Sequence, residues 1–376
     1  MLKRLCLIFS VILIAKCWAR DNVVVVKNQL GYCEPLTVDF IATLVTKEAR
    51  QLIAPDLRAT KKHVRFDLYT RKNPNVKQVL RAGDQKGLSE SNFNVAWPVR
   101  ISIHGWNGMT TTCSSAAIKD AYLEIGDFNV ILVDYSDYSL DVNYLRVITE
   151  VFDIAEQIND FTRFLHDTTN YPFEEMYLIG HSYGCHVAGV AGKLLKPSRY
   201  GVIYALDTAG PIHQSIAKDW RLTPDAALYV ESIQTDTALF GYRGTDLGHA
   251  SFFPNWGLGQ PHCPNATATE PKFTCDHFGS LYYFTESLRN PYAFGAIRCK
   301  NYRNVIEQKC GCPSGSKECP AEVFMGGEPA RRKKGVFYLS TTKHRPYGLG
   351  AMCRMRPALE STVVRSTNTQ RRRRGK

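Results

Sequence analysis

The stretch MYLIGHSYGCHVAGVAGKLL, residues 176–195, decides the fold. A short apolar run leads into the pentapeptide GHSYG at 180–184, and small and apolar residues with helical character follow it. A serine with glycine two positions away on either side fits a tight strand-to-helix turn, because only small residues avoid a clash there. G-x-S-x-G alone occurs by chance in many proteins, so its place between a strand and a helix is what predicts a nucleophile elbow carrying Ser182.

Further apolar runs of strand length lie on both sides of this turn, at intervals long enough for helices. They are VRISIHGW at 99–106, NVILVDYS at 129–136, VIYALD at 202–207 and LYVESIQTD at 228–236. Such runs, bounded by turns, indicate a mostly parallel sheet that is covered on both faces. Residues 147–165 predict one covering helix, since their apolar residues recur every three or four positions. The expected class is α/β, with a central sheet flanked by helices.

A serine becomes a nucleophile when a histidine accepts its proton and a carboxylate orients that histidine. Asp207 ends the strand after the elbow and is expected at the same sheet edge as Ser182. Asp236 also ends a strand and is the alternative acid. His277 follows both and precedes a helix-like segment, which matches the order serine, acid, histidine in hydrolases with this elbow. The other histidines considered are interpreted as elbow, core or loop residues: His181, His186, His249 and His262.

The oxygen that becomes negative during attack needs backbone N–H donors. Tyr183 follows the nucleophile at the start of the elbow helix and is expected to supply one of them. The second is expected from the loop after an earlier strand, where IHGW at 103–106 makes the Trp106 N–H the candidate. The alternative is that Gly105 only permits a turn and His104 packs beneath it.

The two ends of the chain differ from its middle. Lys3 and Arg4 precede the apolar run LCLIFSVILIA and a small-residue pattern ending at Ala19, so residues 1–19 predict a secretory signal peptide. The run is shorter than the roughly 20 residues of a membrane anchor, which is the alternative interpretation. Residues 20–345 form the expected catalytic domain. Residues 346–376 are polar and basic, which predicts a disordered tail on a secreted, extracellular protein.

Cysteine content and charge indicate whether to expect disulfides or a metal, and which partners the surface favours. Of 12 cysteines, two leave with the signal peptide, and in an oxidising compartment structural disulfides are the default for the rest. A zinc knuckle in the cluster at 299–319 is the weaker alternative, because no histidine lies within it. The formal net charge of +12 includes basic runs at 331–334 and 371–374. They favour anionic lipid surfaces or sulfated glycans as partners, and secretion argues against nucleic acid.

Together, GHSYG, IHGW, LDTAGP at 206–211, GHASFFPNWG at 248–257 and CDHFGSLYYFTESL at 275–288 resemble the pancreatic lipase family, in its insect-type, phospholipase A1-like branch. The resemblance covers residues 24–345 and implies an α/β-hydrolase fold stapled by disulfides. The family acid lies in LD-x-AGP, which implies Asp207 rather than Asp236. The family histidine lies in C-x-H, which implies His277, and the HG-aromatic motif implies Trp106.

The resemblance also implies disulfides, and one departure from the family pattern argues against a metal. The implied pairs are Cys263–Cys275 at the base of a lid, Cys299–Cys310, Cys312–Cys319 and Cys33–Cys113. Cys185 and Cys353 have no expected partner, and Cys185 is interpreted as a buried free thiol. Calcium-binding members carry two aspartates in the stretch written here RLTPDA, at 221–226. Thr223 and Ala226 occupy those places, so no metal and no cofactor are expected.

The short length of the predicted lid indicates the class of substrate. PNATATEPKFT at 264–274 has one aromatic residue and no amphipathic period, and a loop pinned at both ends reaches at most about 18 Å. The covering loop between Asp236 and His249 is also short. In the family, short loops accompany phospholipase A1 activity, which predicts release of the sn-1 fatty acid of phospholipids. A triacylglycerol lipase and a non-catalytic, yolk-protein-like lipid-binding protein are the alternatives. Asn265 lies in a glycosylation sequon within the lid.

Overall fold

The computed structural model describes residues 62–263, 272–312 and 315–356. The signal peptide, Cys33, the sequon at Asn265 and the terminal basic run lie outside these residues, so the predictions that concern them, including the Cys33–Cys113 pair, remain predictions. No helix within the described residues combines the length and the apolar character that a membrane crossing requires.

An eleven-stranded sheet runs through the molecule in the order β11-β9-β12-β8-β7-β6-β5-β3-β4-β1-β2, and β10 pairs with β13 in a separate ribbon. The strands are β1 (Arg65–Tyr69), β2 (Gln78–Leu80), β3 (Val99–Ile103), β4 (Asn129–Asp134), β5 (Tyr177–His181), β6 (Tyr200–Leu206), β7 (Ala227–Ile233), β8 (Ala250–Pro254), β9 (Gly295–Cys299), β10 (Glu318–Pro320), β11 (Val323–Phe324), β12 (Gly335–Leu339) and β13 (Met352–Arg354). The seven central strands from β4 to β12 are parallel, and antiparallel strands close both ends.

Helices cover both faces of the sheet. They are α1 (Gln85–Ser89), α2 (Cys113–Ile125), α3 (Ser136–Ser139), α4 (Tyr144–Thr149), α5 (Val151–Thr169), α6 (Tyr183–Leu194), α7 (Lys272–Arg289) and α8 (Tyr302–Ile306), with short 3-10 turns at Phe173–Glu175, Lys218–Trp220, Pro224–Ala226 and Asn255–Gly257. Helices α5 and α6 share one buried apolar cluster, and α2 and α7 share a second. The central strands are almost wholly buried, which is why their sequences read as continuous apolar runs. This is the α/β-hydrolase fold that the sequence predicts.

The segment expected as one helix over 147–165 is two helices. Helix α4 begins after Asn143, whose side chain accepts a hydrogen bond from the Arg146 N–H, and α5 begins at Val151. The apolar residues of α5, including Ile154, Ile158 and Phe161, face the core as their spacing predicts.

Three disulfides are present among the described residues, with Cα–Cα distances of 4.9 to 5.7 Å. They are Cys263–Cys275, Cys299–Cys310 and Cys312–Cys319. Cys185 and Cys353 are buried free thiols. The last two bridges use all four sulfurs of the cluster at 299–319, so the zinc alternative does not apply to it.

The folded structure continues past residue 345, where the sequence predicts that the tail begins. Tyr347 and Cys353 are buried, and β13 pairs with β10 so that Cys353 lies opposite Cys319. The segment up to Arg356 therefore belongs to the folded unit. Averaging composition over the last thirty residues hides these few apolar residues, which pack although the rest of the segment is polar.

Candidate active site

Ser182 lies on a sharp turn between β5 and α6. Its φ of 55° and ψ of −122° are strained for a residue with a side chain. A Cβ on Gly180 would lie 2.6 Å from the Cys185 Cα, and one on Gly184 would lie 2.3 Å from the carbonyl oxygens that end β3. The two glycines are therefore required by close backbone approach, and the turn leaves Ser182 partly accessible to solvent.

Asp207 follows β6, the parallel neighbour of β5, so its carboxylate lies at the same sheet edge as Ser182. It is fully buried. Its Oδ1 accepts hydrogen bonds from the backbone N–H of Thr235, at 2.6 Å, and of Asp236, at 2.9 Å. Its Oδ2 accepts a hydrogen bond of 2.5 Å from His277 Nδ1. Both oxygens are thus fixed, and the proton on Nδ1 leaves His277 Nε2 as the basic nitrogen.

The Ser182 hydroxyl makes no hydrogen bond among the described residues. In enzymes without substrate, the serine–histidine bond is often long and tightens only when substrate is bound. The arrangement therefore contains a buried acid paired to a histidine, with a partly accessible hydroxyl on the neighbouring strand end.

The loop at Gly105 and Trp106 lies directly against the serine, since a Cβ on Gly105 would be 2.9 Å from the Ser182 Cβ. Among the described residues, the backbone N–H groups of Trp106 and Tyr183 have no acceptor within the protein. Two unpaired donors beside a serine are what an oxyanion site requires. The Trp106 indole makes a separate contact, in which its Nε1 donates a hydrogen bond of 2.8 Å to the Asp141 carbonyl.

His104 packs beneath this loop, as the alternative interpretation states, and it also orients the loop. Its ring stacks on Tyr135 at 4.1 Å, and its Nδ1 donates to the Gly105 carbonyl at 2.9 Å. Burial lowers the pKa of His104 to about 4, so the ring stays neutral. Because a trans peptide points its C=O and N–H in opposite directions, fixing the Gly105 carbonyl also fixes the direction of the Trp106 N–H.

Asp236, the alternative acid, has a different set of partners. Its carboxylate accepts hydrogen bonds of 3.0 to 3.1 Å from the backbone N–H groups of Ala238, Leu239 and Phe240. Burial, reinforced by the charge of Asp207, raises its pKa to about 6. Asp236 therefore holds the loop that places the Phe240 ring 5.3 Å from the His277 ring. The sequence does not reveal this capping role, because both aspartates simply end strands.

The other histidines make structural contacts. His181 is buried 4.7 Å from the His277 ring, and burial holds its pKa well below the usual range. His186 stacks on His213 at 3.8 Å. His249 accepts a hydrogen bond from the Val230 N–H, and His262 contacts the Tyr283 hydroxyl. The sequence predicts no role for His213.

Comparison with known proteins places this chain in a family. The profile of the family described as Lipase matches residues 38–347. The chain is 32% identical over 300 residues to human (Homo sapiens) inactive pancreatic lipase-related protein 1, covering 74% of this chain and 63% of that protein. It is 32% identical to phospholipase A1 member A of Bos taurus, covering 77% and 64%. It is 30% identical to pancreatic triacylglycerol lipase of Cavia porcellus, covering 74% and 63%.

Proposed function

Because this chain belongs to the lipase family, matched over residues 38–347, we propose that it is a lipid-ester hydrolase with Ser182, Asp207 and His277 as its catalytic residues. The relatives include proteins named as a phospholipase, a triacylglycerol lipase and an inactive lipase-related protein, so the family alone does not decide activity or substrate. The chain also spans less than two thirds of the length of these relatives. The observation that supports catalysis is the Asp207–His277 hydrogen bond at the strand end beside Ser182.

The proposed reaction has two steps. His277 Nε2 takes the proton of the Ser182 hydroxyl as its oxygen attacks the ester carbonyl, and the N–H groups of Trp106 and Tyr183 stabilise the negative oxygen. His277 then protonates the leaving alcohol, which departs and leaves an acyl group on Ser182. Water, deprotonated by His277, attacks the acyl group and releases the fatty acid and the free serine.

Labelling with an active-site-directed organophosphonate tests this proposal. Native protein is expected to take up one equivalent, and the Ser182→Ala variant none. Native protein that is folded and remains unlabelled would instead favour the lipid-binding, non-catalytic alternative.

For the substrate, we propose phospholipase A1 activity rather than triacylglycerol lipase activity. The lid is limited to the residues between Cys263 and Cys275, whose Cα atoms lie 5.7 Å apart. The second covering loop is held close to the site, since Asp236 binds three of its backbone N–H groups. A mouth that cannot be sealed admits a charged headgroup without complete loss of its water.

The test compares initial rates on phosphatidylcholine and on a triacylglycerol at matched interfacial area, through the concentration at which each lipid aggregates. We expect faster release of the sn-1 fatty acid from phosphatidylcholine and little change of rate at aggregation. Triacylglycerol turnover well above phospholipid turnover, with a sharp increase at aggregation, would show that the lid argument is wrong.

We propose that the protein is secreted. Support comes from the three disulfides, which persist in oxidising compartments. Secretion of the full-length chain with cleavage near Ala19, read by N-terminal sequencing of the exported protein, is the expected result. Retention of the whole chain in membranes would contradict it.

The basic run at 331–334 supports a proposal about an anionic partner. Lys333 is buried in an ion pair with Glu231 at 2.8 Å, which fixes the run and leaves Arg332 and Lys334 exposed on either side. Burial lowers the pKa of His249, and Arg199, Arg332 and Lys334 lower it further. These cations therefore surround the amino ends of β6, β8 and β12.

That edge lies opposite the site. Arg199 and Asp207 flank the seven residues of strand β6, so they are separated by about 26 Å. A membrane bound to the cations would face away from Ser182, whereas a sulfated glycan could hold the protein and leave the site free. We expect the double variant Arg332→Glu/Lys334→Glu to elute from a heparin column at clearly lower salt with unchanged ester hydrolysis. Unchanged elution would refute this assignment.

A further inference from the structure

Lys193 lies in the last turn of the elbow helix α6, and its amine contacts the loop at 218–226. The Nζ atom donates hydrogen bonds to the backbone carbonyl of Lys218 and, at 2.7 Å, to that of Arg221. The two carbonyls flank the 3-10 turn that precedes the stretch RLTPDA. Burial lowers the pKa of Lys193 to about 8, so the amine carries its charge at neutral pH.

Calcium-binding members of the family carry their two aspartates in this same loop, and the residues of this chain do not fit a calcium ion. Calcium takes six to eight oxygen ligands, usually including carboxylates. The Thr223 hydroxyl donates to Asp225 at 2.5 Å, and Ala226 supplies no side-chain oxygen. Of the three carboxylates near the amine, Asp225 is paired with Lys196 at 2.6 Å and Asp246 with Arg221 at 2.7 Å, and Asp219 is exposed to solvent on the 3-10 turn.

We propose that the Lys193 ammonium group takes the place of a structural divalent cation, so that the chain carries its own cation at this loop. An ammonium group presents three donors and a positive charge to carbonyl oxygens, as a metal ion presents charge to the same atoms. A second cation beside it would be repelled. The loop is therefore independent of calcium.

This contact also bears on the site, because the loop is packed directly on the elbow helix. A Cβ on Gly189 would lie 2.5 Å from the Leu222 Cα, and one on Gly192 would lie 1.9 Å from the Ala226 oxygen. The Leu222 N–H donates to His186 Nδ1 at 3.2 Å, and His186 Nε2 donates to the Ala209 carbonyl at 2.8 Å. Lys193 thus fastens the loop to the helix after Ser182, and His186 links the same loop to the segment after Asp207.

The first test compares thermal unfolding with calcium and with a chelator. We expect native protein to have the same Tm in both, and Lys193→Met to lower the Tm by about 5 °C in both, since two hydrogen bonds from a charged group are lost. Lys196→Met is the matched control; it removes an exposed ion pair and should shift the Tm by less than about 1 °C. A calcium-dependent Tm in the native protein, or an unchanged Tm in Lys193→Met, would overturn the proposal.

The second test restores a metal to the loop. The triple variant Lys193→Ala/Thr223→Asp/Ala226→Asp is expected to gain a calcium-dependent Tm increase of about 5 °C at saturating calcium. The same variant in chelator should be no more stable than Lys193→Met. If calcium produces no additional folded protein and no Tm increase, the loop is not a cation site and Lys193 is an ordinary hydrogen-bond donor.

Discussion

In the Asp207→Asn variant, the surrounding hydrogen bonds determine how the asparagine side chain is oriented. The Oδ1 atom accepts two backbone N–H groups, from Thr235 and Asp236. The asparagine oxygen must occupy that position, because the amide nitrogen there would face two donors. The NH2 group is therefore turned toward His277, where Oδ2 now accepts.

An NH2 group at that place cannot accept the Nδ1 proton, so His277 takes the tautomer with the proton on Nε2. With a proton on it, that nitrogen can no longer act as the base for Ser182. In a serine protease triad the same change reduces kcat by about 10⁴, which is roughly 5.5 kcal/mol of transition-state stabilisation. We expect a loss of that order here, with KM little changed because no group that contacts the ester is removed.

Asp236→Asn is the matched control. Its oxygen can still accept from Ala238 and Leu239, and only the hydrogen bond to the Phe240 N–H is lost. We expect less than about a tenfold loss of kcat and a small loss of stability, as for one buried hydrogen bond. The assay is kcat and KM on a soluble short-chain ester, with the Tm as a check of folding. If Asp236→Asn costs more activity than Asp207→Asn, the acid is Asp236 and the assignment is wrong.

Ser182→Ala should reduce ester hydrolysis by several orders of magnitude with an unchanged Tm, and near-normal turnover would remove Ser182 from the mechanism. Leu145 and Leu239 are 60% and 39% exposed, and each is next to an aromatic residue that packs at the site. The double variant Leu145→Ser/Leu239→Ser should therefore bind phosphatidylcholine vesicles more weakly but hydrolyse a soluble ester at the native rate. Equal losses of activity on both substrates would contradict a lipid-contact role. The pKa of Asp236 in the folded protein is about 6, above its usual value of 3.8. As pH rises from 4 to 6, the native protein should therefore lose stability relative to Asp236→Asn, by at most about 3 kcal/mol. A difference in unfolding free energy that is constant with pH would contradict this.

Sequence reasoning predicted the sheet and proposed Ser182 as the nucleophile because those signals are local. A buried strand followed by GHSYG specifies its own turn, and parallel neighbours bring Ser182 and Asp207 to one edge. The position of His277 needed chain order and the family motif, since ten histidines competed. What the sequence did not predict depends on long-range contacts. The burial of Lys333 requires Glu231 on a strand a hundred residues earlier, and the folding of the last described segment requires β10.

The two aspartates show how far local signals go. Asp207 and Asp236 both end parallel strands, and either could reach a histidine at the sheet edge. The difference is made by the loop after Asp236, which turns back so closely that a Cβ on Gly241 would lie 2.2 Å from the Asp236 carbonyl oxygen and 3.0 Å from Asp207 Oδ1. That turn directs three N–H groups at the Asp236 carboxylate, and the hydrogen bond of His277 goes to Asp207. Burial, together with the charge of Asp207, raises the pKa of Asp236, because two adjacent buried carboxylates disfavour each other's charge. The carboxylate that accepts from His277 is therefore the better candidate for the catalytic acid, and the neighbouring one holds the loop that packs Phe240 against that histidine.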